Sequence, residues 1–213
     1  MKPKTIELQA SYDRVAKEYA AHFGDELASK PFDRKMLDWL VEKVNGLGRI
    51  CDLGCGPGQI AQYLHQQGAP AAGIDLSAEM VKQARALNPD IPFQQGNMLA
   101  LAEVADDTYG GIAAFYSLIH IPRQDMVRAL QEIKRVLCPQ GVLLVTYHIG
   151  RDIIHLDEWW GKQVSADFIF YETTEMKTYL KEAGFEPEEA IERDPYPEIE
   201  YQSRRAYVFA RKP

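Results

Sequence analysis

Residues 52–58 read Asp52-Leu53-Gly54-Cys55-Gly56-Pro57-Gly58. They follow a short apolar strand pattern, Arg49 to Leu53, and lead into a helical pattern, Gln59 to Gln67. Glycines at 54, 56 and 58 let the backbone turn sharply and approach a ligand with no Cβ in the way. The helix start leaves N–H groups free, and its dipole favours an anionic group. Pro57 suits that first turn, where its missing N–H costs little. A dinucleotide loop would instead space its glycines GxGxxG. The alternative is a plain strand–helix turn, which needs only one or two glycines.

Outward from this loop, strand and helix patterns alternate. Glu7 to Phe23 predicts a helix, with Val15, Tyr19 and Phe23 at i, i+4 spacing, and Phe32 to Val44 predicts a second. Ala71 to Asp75 predicts a strand, and Ser77 caps a helix running to Leu87. Phe93 to Gln95 and the apolar run Gly111 to Tyr116 predict further strands, the latter buried on both faces. A helix over Gln124 to Leu137, a turn at Pro139-Gln140-Gly141 and a strand over Val142 to Tyr147 follow. From Ile149 to Tyr171 no clean periodicity remains, although the segment holds Trp159, Trp160, Phe168 and Phe170. Thr173 to Ala183 predicts the last helix, and Phe185 to Arg193 with Ser203 to Arg211 an antiparallel pair of strands.

Such alternation implies an α/β fold: a mostly parallel sheet with helices on both faces, wound by right-handed crossovers. Ligands in these folds sit beyond the carboxyl ends of the strands. That rule selects 54–58, 75–76, 96–98 and 116–120. Asp75 at a strand end can accept hydrogen bonds from both hydroxyls of a ribose; alternatively it only leads into the Ser77 cap.

Composition narrows the function classes. The 213 residues carry 24 Lys+Arg against 31 Asp+Glu, a formal charge of −7, which disfavours a general nucleic-acid binder. The acidity is local, since residues 151–200 hold 14 acidic and five basic side chains. This is a solvated outer face, or else it biases the entrance toward neutral or cationic ligands. No apolar run approaches a membrane span, and Met1 to Asp13 has no signal-peptide core, so a cytoplasmic protein is expected. Cys51, Cys55 and Cys138 contain no CxxC pair, so neither disulfides nor a metal site are expected. Cys55 is a small residue tolerated by a tight turn, or a nucleophile with no nearby histidine to activate it.

Several blocks together resemble a class I S-adenosylmethionine-dependent methyltransferase, of the bacterial small-molecule type. They are 52–58, Gly73-Ile74-Asp75-Leu76-Ser77-Ala78-Glu79-Met80, Gly96-Asn97-Met98, Ser117-Leu118-Ile119-His120 and Arg135-Val136-Leu137-Cys138-Pro139-Gln140-Gly141. The resemblance implies a Rossmann-like seven-stranded, mostly parallel sheet with an antiparallel C-terminal strand. It also implies one domain: a helical cap over 1–45, a cofactor-binding core over 46–148, a substrate or lid segment over 149–172, and a C-terminal helix and strands over 173–213.

By the same resemblance, Gly54, Cys55 and Gly56 wrap the methionyl end of the cofactor and Asp52 helps orient its ammonium group, directly or through water. Asp75 holds the ribose. Leu76 and Met80 flank the adenine, which Asn97 and the Met98 N–H recognise. Tyr116 and Ser117 line the methyl end. Tyr12 and Tyr19 close over the cofactor, or are ordinary amphipathic packing, and Lys30 meets its carboxylate, or is a solvated charge. S-adenosyl-L-homocysteine would be the product.

A sulfonium methyl is already activated, so a base is needed only if the acceptor must lose a proton. His120 and His148, beyond the fourth and fifth strands, are the candidates for catalysis or substrate contact; alternatively each only shapes the site. Arg151 and His155 are candidates for an anionic substrate group. Trp159 and Trp160 would be split, one packing on the sheet and one facing the pocket, unless both merely cap the core. The partner expected is a small-molecule acceptor, methylated on O or N, and the chain a monomer or homodimer. The rivals are a catalytically silent cofactor-binding protein and an NAD-dependent oxidoreductase. Tyr116-Ser117-Leu118-Ile119 carries no Asn/Asp-Pro-Pro-aromatic signature, which lowers planar exocyclic amines as acceptors.

Overall fold

The computed structural model describes residues 3–213; Met1 and Lys2, the start of the expected cap, lie outside them. Its elements in chain order are α1 (Pro3–Phe23), α2 (Pro31–Val44), β1 (Ile50–Leu53), α3 (Gln59–Gln66), β2 (Ala71–Asp75), α4 (Ala78–Leu87), β3 (Phe93–Gln95) and β4 (Tyr109–Phe115). There follow α5 (Arg123–Val136), β5 (Leu137–His148), β6 (Ile153–Trp159), β7 (Lys162–Ile169), α6 (Thr173–Glu182), β8 (Glu186–Arg193) and β9 (Arg205–Arg211).

Seven strands form one sheet in the order β3-β2-β1-β4-β5-β9-β8. The pairs from β3 through β5 are parallel, and β9 runs antiparallel to both β5 and β8. Every residue of β1 and β4 is buried, which is why these strands read as apolar runs. One face packs on α5 and α6 through residues such as Met126, Leu130, Met176 and Leu180. The other packs on α2, α3 and α4 through Met36, Leu40, Leu64 and Val81. The chain winds from β1 out to β3, then returns to β4 on the opposite side of β1. That reversal opens a crevice beyond the ends of β1 and β4, where α/β folds bind ligands.

Two segments depart from the sequence pattern. Pro139 to Gly141, expected as a turn, is an irregular stretch inside β5, with Gln140 in the left-handed region at φ 64° and the β4–β5 register shifting beside it. The aperiodic segment after β5 is a regular antiparallel hairpin, β6–β7. Its two-residue turn, Trp160-Gly161, has φ of 51° and 74°, as a type I′ hairpin turn demands. Asn-Gly is the familiar signal for that turn, and a tryptophan in the first position hides it. A register shift between Leu156 and Glu158 also breaks the alternation of half-buried Ile154, Leu156 and Trp159 with exposed His155 and Asp157.

Helix α1 and the hairpin together roof the crevice. Ser11 is fully buried between them, its hydroxyl accepting from Ser165 N at 2.8 Å. Lys162 donates to the Arg14 carbonyl and to Glu18, both at 2.7 Å. On its other side α1 presents Asp13 to the start of α4, where its carboxylate accepts from Ser77 Oγ at 2.5 Å and Glu79 N at 3.2 Å. Ser77 caps α4 as expected, accepting from Met80 N.

Candidate functional site

Beneath that roof lies a cavity of about 830 Å³. Its first end is built from backbone. Gly54 and Gly56 adopt φ of 80° and 51°, a region costly for residues bearing a Cβ. A Cβ on Gly54 would lie 2.3 Å from the Cβ of Ser117, so loop and β4 end could not pack so closely around any larger residue. Asp75 stands beside them. Its Oδ2 accepts from Gly56 N and its Oδ1 from Ser77 N, both at 2.8 Å. Burial pushes this carboxyl up to about 6, against the pull of those N–H donors. Each oxygen keeps a lone pair toward the cavity's contents, the arrangement a vicinal diol requires.

Leu76, Met80, Asn97 and Met98 line the same end. The Asn97 side-chain carbonyl already accepts from Leu99 N at 2.9 Å, fixing the turn. Cys55 also lines the wall; it is buried, and desolvation holds its thiol well above the ordinary range, which disfavours the thiolate. Tyr19, Lys30 and Ser117 complete this region. The Lys30 ammonium is not a free loop charge: it pairs with Glu26 at 2.5 Å, and Glu26 accepts from Gln59 Nε2 at 2.9 Å. Gln59 Oε1 is buried with no hydrogen-bond partner. An orphaned acceptor beside a carboxylate and an ammonium fits the zwitterionic end of an amino acid, the methionyl end of S-adenosylmethionine.

Asp52 does not line the cavity. It is 1% exposed, accepts from Ala61 N at 3.1 Å, and is pushed up to about 8 by burial. It therefore fastens β1 to α3. Glu26 and Gln59 stand at the place the sequence reading gave to Asp52, and neither lies in a recognisable motif; the only signal was Gln59 opening the helix after Gly58.

The second end is built from side chains. Tyr116, in the left-handed region at φ 51°, turns the chain beyond β4 and sets its ring beside His148, centroids 5.2 Å apart. His120 follows in a short turn, Leu118–His120, and both its ring nitrogens are engaged. Nδ1 lies 2.8 Å from the Asp167 carbonyl and Nε2 2.7 Å from Tyr12 Oη. A carbonyl can only accept, so Nδ1 carries the proton and Nε2 accepts from the Tyr12 hydroxyl. Burial holds His120 down to about 4 and raises the Tyr12 phenol well above its ordinary range. His148 Nδ1 meets Ser203 Oγ at 2.7 Å, and burial, then the nearby Arg205 charge, holds it to about 4. Both imidazoles are neutral at pH 7.

The remaining candidates separate. His155 and Trp159 line the cavity, and His155 pairs with Asp167 at 2.6 Å, which raises its pKa. Arg151 does not line it; it is exposed and reaches only Glu172, at 3.4 Å. Trp159 packs edge-on against Tyr12, Tyr19 and Phe168, while Trp160 stacks outside it, between Trp159 and His22. Phe170, Glu200, Tyr201 and Arg205 also line this end, contributed by the hairpin's exit and the loop before β9. Much of the acidity of 151–200 is consumed in pairs: Glu188 with Lys43 and Arg211, Glu200 with Arg193.

Comparison with known proteins agrees with this architecture. The family described as a methyltransferase domain matches residues 50–141. The ubiquinone biosynthesis O-methyltransferase of Vibrio cholerae is 30% identical over 49% of this chain and 44% of its own length. A malonyl-acyl-carrier-protein O-methyltransferase of Enterobacter lignolyticus is 27% identical over 71% of this chain and 57% of its own. The chain spans about half the length of the curated relatives it matches. Among solved structures, a DhpI–SAH complex superposes with a TM-score of 0.74 at 17% identity, covering 99% of this chain and 98% of that one, which shows the shared fold. Residues 50–141 are thus similar to a methyltransferase domain, in a fold shared with solved structures described as S-adenosylmethionine-dependent methyltransferases. The glycine loop, Asp75 and the Glu26–Gln59–Lys30 cluster have the chemistry to hold S-adenosylmethionine.

Proposed function

We propose that the chain methylates an oxygen or nitrogen of a small molecule, with Tyr12 and His120 as the proton-accepting pair. S-adenosylmethionine, when bound, supplies a methyl group already activated on sulfur. The protein must orient the acceptor, exclude water and accept a proton. The observation that carries the proposal is the Tyr12–His120–Asp167 chain on the cavity wall. His120 has no nitrogen free for a substrate, so Tyr12 is the group that meets it. As the acceptor's proton passes to the Tyr12 oxygen, the phenolic proton passes to His120 Nε2, and the Asp167 carbonyl holds Nδ1–H throughout. His148, which lines the same cavity and is held by Ser203, is the second group proposed to contact the acceptor.

The cofactor assignments rest on the same geometry: Gly54 and Gly56 close to the methionyl chain, Asp75 on the ribose, Leu76 and Met80 at the adenine. Transfer of an isotopically labelled methyl group to a panel of small hydroxy and amino compounds tests the activity. Retention of S-adenosylhomocysteine rather than NAD by the purified chain is the accompanying expectation. NAD retention would overturn it.

A further inference from the structure

The far end of the cavity holds a buried cation with an incomplete set of partners. Arg205 is 3% exposed and lines the wall. Its Nη1 donates to the carbonyls of Tyr201 at 2.9 Å and Ser203 at 2.7 Å. Its Nε has no hydrogen-bond partner, and the nearest carboxylate oxygen, Glu200 Oε2, is 3.4 Å away. Glu200 is already committed: Arg193 grips both its oxygens, at 2.8 and 2.7 Å, and Tyr196 N donates to it at 2.9 Å. Arg193 is shared in turn with Asp33. The other cations on the wall are matched, Lys30 by Glu26 and the exposed Lys4 by Asp167. Glu200 thus serves two guanidiniums and meets Arg205 only in a long ion pair, leaving its Nε without a hydrogen bond that a planar anion would supply.

Beside Arg205 stands an aromatic panel. His148 stacks on Phe170 at 5.0 Å and 25°, and Tyr201 meets both edge-on at 5.9 and 6.2 Å. Tyr116 presents its ring to the Arg205 guanidinium, 5.9 Å from centroid to carbon. Tyr201 and Ile199 are 60% and 50% exposed while also lining the cavity, so this panel reaches its mouth.

We infer that this end is an acceptor subsite for an aromatic carboxylate, its ring against Phe170 and Tyr201 and its carboxylate on Arg205. The inference rests on the methyltransferase proposal and names its substrate class. It also replaces Arg151, which the sequence reading offered as the anion contact, with a residue from another strand. The Arg205 charge already reaches His148, which shows how closely the two groups share this end.

Isothermal titration of the full chain, saturated with S-adenosylhomocysteine, against benzoate and 3-phenylpropanoate and against their neutral amides tests this. Each acid should bind at least about tenfold tighter than its amide, as expected for a charge-assisted bidentate contact. Arg205→Gln should erase that preference and leave S-adenosylhomocysteine affinity unchanged. The comparison of acid with amide needs no variant, so it stands even if Arg205→Gln fails to fold. Amides binding as tightly as acids would overturn the anion site, and hexanoate matching 3-phenylpropanoate would overturn the aromatic panel. Failure of S-adenosylhomocysteine to bind at all would instead remove the methyltransferase proposal beneath it.

Discussion

The two ends of the cavity are made of different material. The glycine-loop end rests on backbone: two glycines in the left-handed region and one carboxylate held by amides. The acceptor end is side chains drawn from α1, the turn after β4, β5, the hairpin and β9. Backbone geometry tolerates little change, because a Cβ in the wrong place meets fixed atoms. A wall of side chains can be rebuilt one residue at a time. One end therefore commits the protein to its cofactor, and the other leaves its acceptor open to change.

Substitutions should separate the ends cleanly. Gly54→Ala should be the most damaging. The positive φ costs roughly 1–2 kcal/mol and overpacking against Ser117 roughly 1–3 more, read as lost stability in denaturant titration. A stable variant with normal cofactor affinity would break the contrast. His120→Ala should cut turnover about 100-fold, with S-adenosylhomocysteine affinity within about twofold in calorimetry. Tyr12→Phe should share the turnover loss, since the relay then has no phenolic proton; full activity in that variant would leave His120 without a path to the substrate.

Asp75→Ala should weaken cofactor binding by about 1.5–3 kcal/mol and leave acid-over-amide selectivity at the far end intact. In the wild type, pH should reach the same group. Asp75 offers both ribose hydroxyls a charge-assisted acceptor only when ionised, and burial sets it at about 6 in the free protein. Affinity should therefore be flat above pH 6 and fall about tenfold per unit below it, until the carboxyl's value in the complex is reached. Asp52→Asn should do least to binding, with affinity within about twofold, because an amide replaces a side chain that is off the cavity and held neutral. It should act on stability instead. The folded-state value of about 8 lies above the ordinary 3.8, so the native state keeps a proton that the unfolded chain releases. Stability from this group is present at low pH and is lost as pH rises from about 4 through about 8. The variant should flatten that slope in a pH series of denaturant melts.

The same contrast explains what could be read from the sequence. The strands of the parallel half were legible because double-sided burial makes them continuous apolar runs. The glycine loop was legible because turn chemistry is local. Asp75 was found from its position at a strand end. The acceptor wall was not legible as a unit, since Tyr12, His120 and Asp167 meet across 155 residues of chain and no local pattern records the meeting. His120 was named as a base, but its occupied nitrogens follow only from the placement of α1 and the hairpin. Arg205 opens an interior strand that reads as ordinary in sequence, and its significance comes from Glu200 being claimed by Arg193. The Asp52–Ala61 bond was not legible for a complementary reason: a carboxylate ahead of a glycine loop looks the same in sequence whether it faces the ligand or the helix behind it.

Three successive residues of α1 carry separate contacts. Ser11 is fastened to the hairpin, Tyr12 to His120 and Asp13 to the start of α4. Successive side chains on a helix diverge by roughly 100°. A slide of one position would turn all three away from their partners together, so the helix has a single seating and no graded series of near-correct ones. The protein thus indexes its roof as a three-toothed key indexes a lock. The Tyr12–His120 bond is made together with the other two contacts or not at all.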